Sequence, residues 1–315
     1  MRPPPVVDKA RSAPQRKRGH GRIIVAKLGF IGLGTMGEPM CANLARKGGM
    51  PVSAFDLSPE PLARLVTHGV TRAASVADLA RDADIVFLSL PGGKELALVC
   101  EGEGGLVALS RKGQTIVDLG TSPVPLSRDL ARRCAAKVVD YADAPVARTR
   151  QAAIDGTLSI MVGGSDVVFA RIEKLLRTMA SEVSHCGEVG AGQIAKIMNN
   201  MVLAQTVAAL SEALAIARSN GMDGARLFET LTKGSADSFA LRNHGMKAML
   251  PGVYPERAFS AEYMLKDMGY ALDLAREGGV DAKGAANTVE MIKRAIAAGD
   301  GAYYWPVIAK TLSAG

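Results

Sequence analysis

Residues 27–37 read K-L-G-F-I-G-L-G-T-M-G, an apolar run that breaks at Gly32 into G-x-G-x-x-G and continues through Glu38, Pro39 and Met40 into a helix-patterned stretch. A strand must deliver the chain to a tight turn at Gly32. A side-chain-free Gly34 lets the backbone approach a pyrophosphate, and Gly37 lets the next helix pack close, its N-terminal N–H groups aimed at phosphates. Asp56 closes the following apolar segment, Val52 to Phe55, nineteen residues after Gly37, where an acid would accept hydrogen bonds from an adenosine ribose. Gly32, Leu33, Gly34, Thr35, Met36 and Gly37, together with Asp56, therefore read as a dinucleotide-binding edge. The carboxylate favours NAD, because it would repel a 2′-phosphate and Leu57–Ser58 offers no arginine to neutralise one; NADP stays open as the second cofactor.

From Lys27 to about Cys186, strand-like runs at Ile85–Leu90, Thr115–Leu119, Val138–Ala142 and Leu158–Val162 alternate with helical patterns such as Val124–Ala135 and Asp166–Met179. Such alternation predicts a parallel sheet covered by helices on both faces, with ligands collecting at the carboxyl ends of the strands. After Gly192 the pattern changes. Gln193 to Ser219 is one helical signal of about 27 residues, roughly 40 Å long, and five further helical stretches follow without a strand. The expected architecture is an α/β Rossmann-type parallel-sheet domain followed by an all-α C-terminal domain. The expected division is a disordered basic extension over 1–24, the NAD(P)-binding domain over 25–190, and a helical substrate and oligomerisation domain over 191–315.

The chain has 315 residues, 48% hydrophobic and 22% charged, enough for two substantial cores. Its net charge of +7 invites a nucleic-acid partner, but the distribution opposes one. Residues 1–27 hold eight Lys or Arg against one acid, and the other 288 residues carry 30 basic and 30 acidic side chains, so the folded body has no excess to form a basic face. No uninterrupted apolar run approaches the roughly 18 residues of a membrane span. Neither nucleic acid nor membrane is expected as a partner. The Pro- and Arg-rich tail loosely resembles a transit peptide but reads as an upstream extension that adds nothing to the fold. Cys41, Cys100, Cys134 and Cys186 form no C-x-x-C pair and read as buried free thiols of a cytoplasmic protein. Four histidines without ligand spacing give no metal site.

Between Gly187 and Asn200 the sequence is G-E-V-G-A-G-Q-I-A-K-I-M-N-N. Lys196 falls among Ile, Ala and Met on a helix, and Asn199 and Asn200 follow one turn later, so an ammonium and carboxamides share neighbouring positions. A lysine in apolar surroundings has its pKa lowered toward the range useful for proton transfer. A solvated helix face is the blander alternative for such a lysine.

Together, F-I-G-L-G-T-M-G, D-A-P-V at Asp143–Val146, G-T-L-S-I-M-V-G-G at Gly156–Gly164, G-x-G-x-x-x-K-x-x-N-N ending at Asn200, and L-K-D-M at Leu265–Met268 resemble the β-hydroxyacid dehydrogenases. That family includes 3-hydroxyisobutyrate dehydrogenase and tartronate semialdehyde reductase and is related to 6-phosphogluconate dehydrogenase. The resemblance implies that Lys196 is the catalytic acid/base, that Asn200 and Asn199 orient substrate and lysine, and that Lys266 lies near the nicotinamide ribose while Asp267 supports the fold. It also implies that Leu90, Pro91 and Thr121 touch the cofactor, with Gly120 standing where the family has serine. The substrate is then a small anionic hydroxy acid or semialdehyde, and the protein a homo-oligomer, a dimer or tetramer.

One departure is conspicuous. Where most of the family follows D-x-P-V with S-G-G, a carboxylate-holding loop, this chain has Ala147, Arg148, Thr149 and Arg150. Substrate contact is expected at Ala147, Arg148 and Thr149. The guanidinium of Arg148 is a planar fork suited to a second anionic group, sulfonate or carboxylate, a pattern similar to sulfolactaldehyde reductase. Imine reductases are the nearest enzymatic rival and typically lack the lysine. A dinucleotide-dependent, non-catalytic nucleic-acid-associated protein is the other alternative.

Overall fold

A computed structural model describes residues 26–312 except Arg257. The expected 1–24 extension lies outside the described residues. Among the described residues, nine strands form one sheet: β1 (Leu28–Ile31), β2 (Val52–Phe55), β3 (Thr71–Arg72), β4 (Ile85–Leu88), β5 (Thr115–Asp118), β6 (Asp140–Asp143), β7 (Val146–Ala147), β8 (Leu158–Gly163) and β9 (Ala180–Gly187). The helices between them are α1 (Gly37–Lys47), α2 (Pro59–Leu65), α3 (Val76–Asp82), α4 (Gly93–Cys100), α5 (Leu106–Leu109), α6 (Val124–Ala135), α7 (Arg150–Asp155) and α8 (Asp166–Leu176). The order is β3-β2-β1-β4-β5-β6-β8-β7, with β9 on β8. Strands β1 to β6 are all parallel. Strand β1 stands between β2 and β4, so the strand order reverses there and a crevice opens at the carboxyl ends.

Alternation along the central strands feeds two cores. Leu28, Phe30, Ile85, Phe87 and Val117 pack on one face, and Ile31, Val86, Leu88 and Ile116 on the other. A sheet buried on both faces needs such apolar runs, which is why β1, β4 and β5 were legible.

The sheet is mostly parallel, as expected, and departs from that at one edge. Strand β8 runs antiparallel to β6, with Asp143 opposite Gly163, and antiparallel to β7. After β6 the chain turns at once into β7 and the short α7, neither long enough to carry it back to the amino ends, so it enters β8 from the carboxyl end. Strand β9 was not foreseen. Its residues S-E-V-S-H-C are mostly exposed and polar, as an edge strand tolerates. Cys186, on this strand, is exposed, correcting the expectation that all four thiols are buried.

The second half contains helices α9 (Ala191–Ser219), α10 (Gly224–Leu231), α11 (Ala261–Glu277) and α12 (Lys283–Ala295), π-helical turns at Leu241–Met249 and Ile296–Asp300, and a 3-10 segment at Trp305–Leu312. By length and composition α9 could cross a membrane. Here it is a core helix, its Ala204, Val207, Leu210 and Leu214 packed with Met264 and Met268 of α11, Ile292 of α12 and Trp305. A smaller apolar contact of Val124, Ile197 and Ala271 joins α6, α9 and α11.

Candidate active site

The start of α9 is fixed by a buried carboxylate. Asp143, at the end of β6, accepts the Gly190 and Gln193 N–H groups, both at 2.7 Å, and so caps the positive end of a 29-residue helix. Asp118 is its register neighbour on β5 and is equally buried. Burial pushes the Asp118 carboxyl up to about 7, against the pull of hydrogen bonds from Gly120 N–H and the Ser122 hydroxyl. Burial likewise raises Asp143, opposed by the N–H groups of the helix start.

One turn into α9 stands Lys196, 9% exposed. Its Nζ donates to Asn200 Oδ1 at 3.0 Å, and Asn200 Nδ2 donates to Asp267 Oδ2 at 2.6 Å. Asn199 Nδ2 donates to the same Asn200 oxygen at 3.0 Å. Lys266 Nζ lies 2.8 Å from Asp267 Oδ1 as an ion pair, off the direction of a hydrogen bond, and donates to the Thr121 carbonyl at 3.2 Å. The Tyr270 ring lies under that ammonium at 4.9 Å, and the Tyr270 hydroxyl accepts the Gly93 N–H at 3.3 Å. Helix α11 is thereby tied to the loops after β4 and β5. Burial lowers the Lys196 pKa to about 8; the Asp267 carboxylate pulls it back up, and the Lys266 ammonium presses it down.

The glycine loop has the form a dinucleotide requires. Gly32 has φ +92, a left-handed conformation, and a side chain there would strike the Ser89 carbonyl, while one at Gly37 would strike the Gly32 carbonyl. A side chain at Gly34 would meet nothing within 4 Å, so this backbone is open to a ligand. Asp56 accepts Leu33 N–H at 2.6 Å and Ser58 N–H at 2.7 Å, binding the end of β2 to the glycine loop. A cleft of about 500 Å³ beside the loop is lined by Leu33, Gly34, Thr35, Glu38, Pro61, Arg64 and Arg150. The Glu38–Arg64 pair is bidentate, at 2.6 and 2.8 Å, and holds the Glu38 carboxyl below its usual range. Among these groups are two arginines and one acid, a balance that suits phosphates.

Residues 27–187 match the family described as the NAD binding domain of 6-phosphogluconate dehydrogenase. Residues 190–303 match that described as NAD-binding of NADP-dependent 3-hydroxyisobutyrate dehydrogenase. A 2-(hydroxymethyl)glutarate dehydrogenase of Eubacterium barkeri is 36% identical over 254 residues, 81% of this chain and 84% of its own. A 3-hydroxyisobutyrate dehydrogenase of Pseudomonas aeruginosa is 37% identical over 253 residues, 78% of this chain and 84% of its own. This chain belongs to the β-hydroxyacid dehydrogenase family. The structure of Mycobacterium tuberculosis 3-hydroxyisobutyrate dehydrogenase with L-serine superposes with TM-score 0.80 at 30% identity, covering 92% of this chain and all of the other. Imine reductases and reductive aminases, at 20% identity or less, share the fold alone.

Within this β-hydroxyacid dehydrogenase, Lys196, Asn199, Asn200, Lys266 and the Thr121 carbonyl are brought together, and Leu90 and Pro91 follow β4 on the way to the Gly93–Tyr270 contact. Asp267 is more than the fold support expected of it, since it is bonded directly to Asn200 and paired with Lys266. The signal lay in the sequence: an acid beside Lys266 on a helix facing Lys196. Gly120 is also explained. A side chain there would lie 2.9 Å from the Leu90 carbonyl, and Ser122 provides a hydroxyl to Asp118 instead.

In the loop expected to meet the substrate, the side chains of Arg148 and Thr149 have partners within the chain. Ala147 is buried in β7, and the Thr149 hydroxyl caps α7 by accepting Ala152 N–H at 3.3 Å. Arg148 is exposed, and its Nη1 donates to the Thr157 carbonyl at 2.6 Å and the Ser181 hydroxyl at 2.8 Å. Its φ is +87, the conformation a glycine takes freely and an arginine rarely. Arg150 begins α7 and lines the cleft at the glycine loop. His244 is buried with its Nδ1 bonded to the Tyr304 hydroxyl at 2.6 Å, and burial lowers its pKa to about 4. Arg242 pairs with Asp237, and Ser238 bonds the Leu241 N–H.

Proposed function

We propose that this protein is a cytoplasmic, NAD-preferring dehydrogenase or reductase that interconverts a small anionic β-hydroxy acid and its semialdehyde, with Lys196 as acid/base. The buried chain Lys196–Asn200–Asp267 carries this proposal. Gly32 to Gly37, Asp56, Leu90, Pro91, Thr121 and Lys266 would hold the cofactor, which when bound supplies or removes the hydride at the substrate carbon. In reduction the Lys196 ammonium delivers a proton to the carbonyl oxygen; in oxidation the neutral amine takes the hydroxyl proton. A pKa near 8 keeps both forms accessible around neutrality. Asn200, anchored by Asp267, aims the ammonium and can also hold the substrate hydroxyl. The Ala147–Thr149 loop would meet the substrate carboxylate, and Arg148 a second anionic group if it exchanges Thr157 and Ser181 for that ligand. The exposed Val202 and Ile216 on α9 support a second subunit against that helix.

The test is an NADH absorbance screen of hydroxy acids and semialdehydes bearing a sulfonate, a second carboxylate or no extra anion. Turnover of at least one is expected, with NAD(H) ahead of NADP(H). Inactivity throughout with either cofactor would refute the proposal.

A further inference from the structure

We propose that Gln193 is a positioning residue whose carboxamide clamps the loop after β5, which carries Thr121, to the first turn of α9, and so sets the spacing between the cofactor loop and Lys196. This deepens the function proposed above and rests on it for the roles of Thr121 and Lys196.

Gln193 is fully buried. Its Oε1 accepts Ser122 N–H at 3.0 Å, and its Nε2 donates to the Gly120 carbonyl at 2.9 Å and, more weakly, to Asp118 Oδ2 at 3.3 Å. Its own N–H goes to Asp143 at 2.7 Å. One residue thus joins the ends of β5 and β6 to the helix carrying Lys196, three positions on along the same face. The loop is held on its other side by Lys266 of α11, through the Thr121 carbonyl. It therefore lies between the two helices that supply the acid/base cluster. Few side chains meet this geometry. A carboxamide donates and accepts at once, a hydrocarbon does neither, and a carboxylate only accepts.

That last difference makes the clamp testable by pH. In Gln193→Glu the ionised group cannot donate to Gly120 and faces Asp118 on β5 and Asp143 on β6. Once protonated, it regains one donor for Gly120 while still accepting Ser122 N–H. The charged groups on the other sides are Lys196 of α9 and Lys266 of α11; a carboxylate at 193 would hold the Lys196 ammonium to higher pH, which favours reduction and opposes the expected loss, and every value is taken relative to wild type at the same pH. Gln193→Met, similar in length and apolar, should be impaired at every pH.

The experiment measures kcat for semialdehyde reduction, NADH affinity by fluorescence, and the melting temperature at pH 6 and pH 8.5. For Gln193→Glu, kcat relative to wild type should be down about tenfold or more at pH 8.5 and recover most of that loss at pH 6, with NADH affinity following in the same sense. Gln193→Met should show no such recovery. A Glu ratio that stays flat with pH, or a Met variant equal to wild type, would overturn the clamp. If Gln193→Met does not fold, the Glu comparison decides alone. Should the wild type turn over no hydroxy acid or semialdehyde, the proposed function falls, and the clamp is judged by NADH affinity: recovery at pH 6 supports it and absence of recovery overturns it.

Discussion

The cluster on α9 and α11 and the loop from Ala147 to Arg150 belong to the same end of the sheet but are built on different terms. In the cluster Lys196, Asn200 and Asp267 are buried and Lys266 is partly so, and each is engaged with another member: Lys196 with Asn200, Asn200 with Asp267, Asp267 with Lys266. In the loop Arg148 is exposed, held in a strained backbone conformation, and bonded to Thr157 and Ser181. Such a network fixes the orientation of each member through the next, and Asn200 Oδ1 keeps the Asn199 donor if Lys196 is removed. An exposed loop side chain can be exchanged at small cost to the fold. Reaction chemistry is therefore expected to reside in the cluster and substrate choice in the loop.

The strongest way to break this division is Lys196→Ala. It should lower kcat on every substrate by at least about 100-fold while leaving NADH affinity and melting temperature near wild type. Near-normal turnover would remove the lysine from the chemistry.

Arg148→Gly sharpens the other side. If the guanidinium can leave Thr157 and Ser181 for a distal sulfonate or carboxylate, KM for a doubly anionic substrate should rise about tenfold or more, with little change for a monoacid such as 3-hydroxyisobutyrate. Equal losses on both would make Arg148 a strut of the β8–β9 edge, and no loss on either would leave it without a role in specificity. The smallest effect is expected at Asp56. Asp56→Ala should narrow the preference in kcat/KM for NAD(H) over NADP(H) by relieving repulsion of a 2′-phosphate, and an initial preference for NADP(H) would contradict the role given to that carboxylate.

The parts of this molecule that were legible in sequence are those where one local rule decides the outcome. The glycine turn at Gly32, the two-sided burial of β1, β4 and β5, and the lysine among Ile, Ala and Met on α9 each carry their reason within a few residues. What escaped depends on long-range partners. Strand β9 is polar and exists because β8 offers it an edge. The direction of β8 follows from how little chain separates it from β6. Asp267 acquires its place only when α11 is laid against α9, and His244 is buried only because Tyr304 and Trp305 fold over it. Spacing also cannot tell which way a long side chain turns, so Arg148 was expected at the substrate without its bonds to Thr157 and Ser181.

The proton transfer proposed for Lys196 is under the influence of Asp267. It is tested most directly by the pH dependence of kcat for semialdehyde reduction in wild type and in Asp267→Asn. Reduction needs the ammonium, so wild-type kcat should fall as pH rises through about 8. Asp267 holds the Lys196 pKa up, so its neutralisation should move that limb to lower pH by about one unit, the low end for loss of a nearby opposite charge. A profile without an ionisation between pH 7 and 9, or a limb that stays in place in the variant, would contradict the assignment.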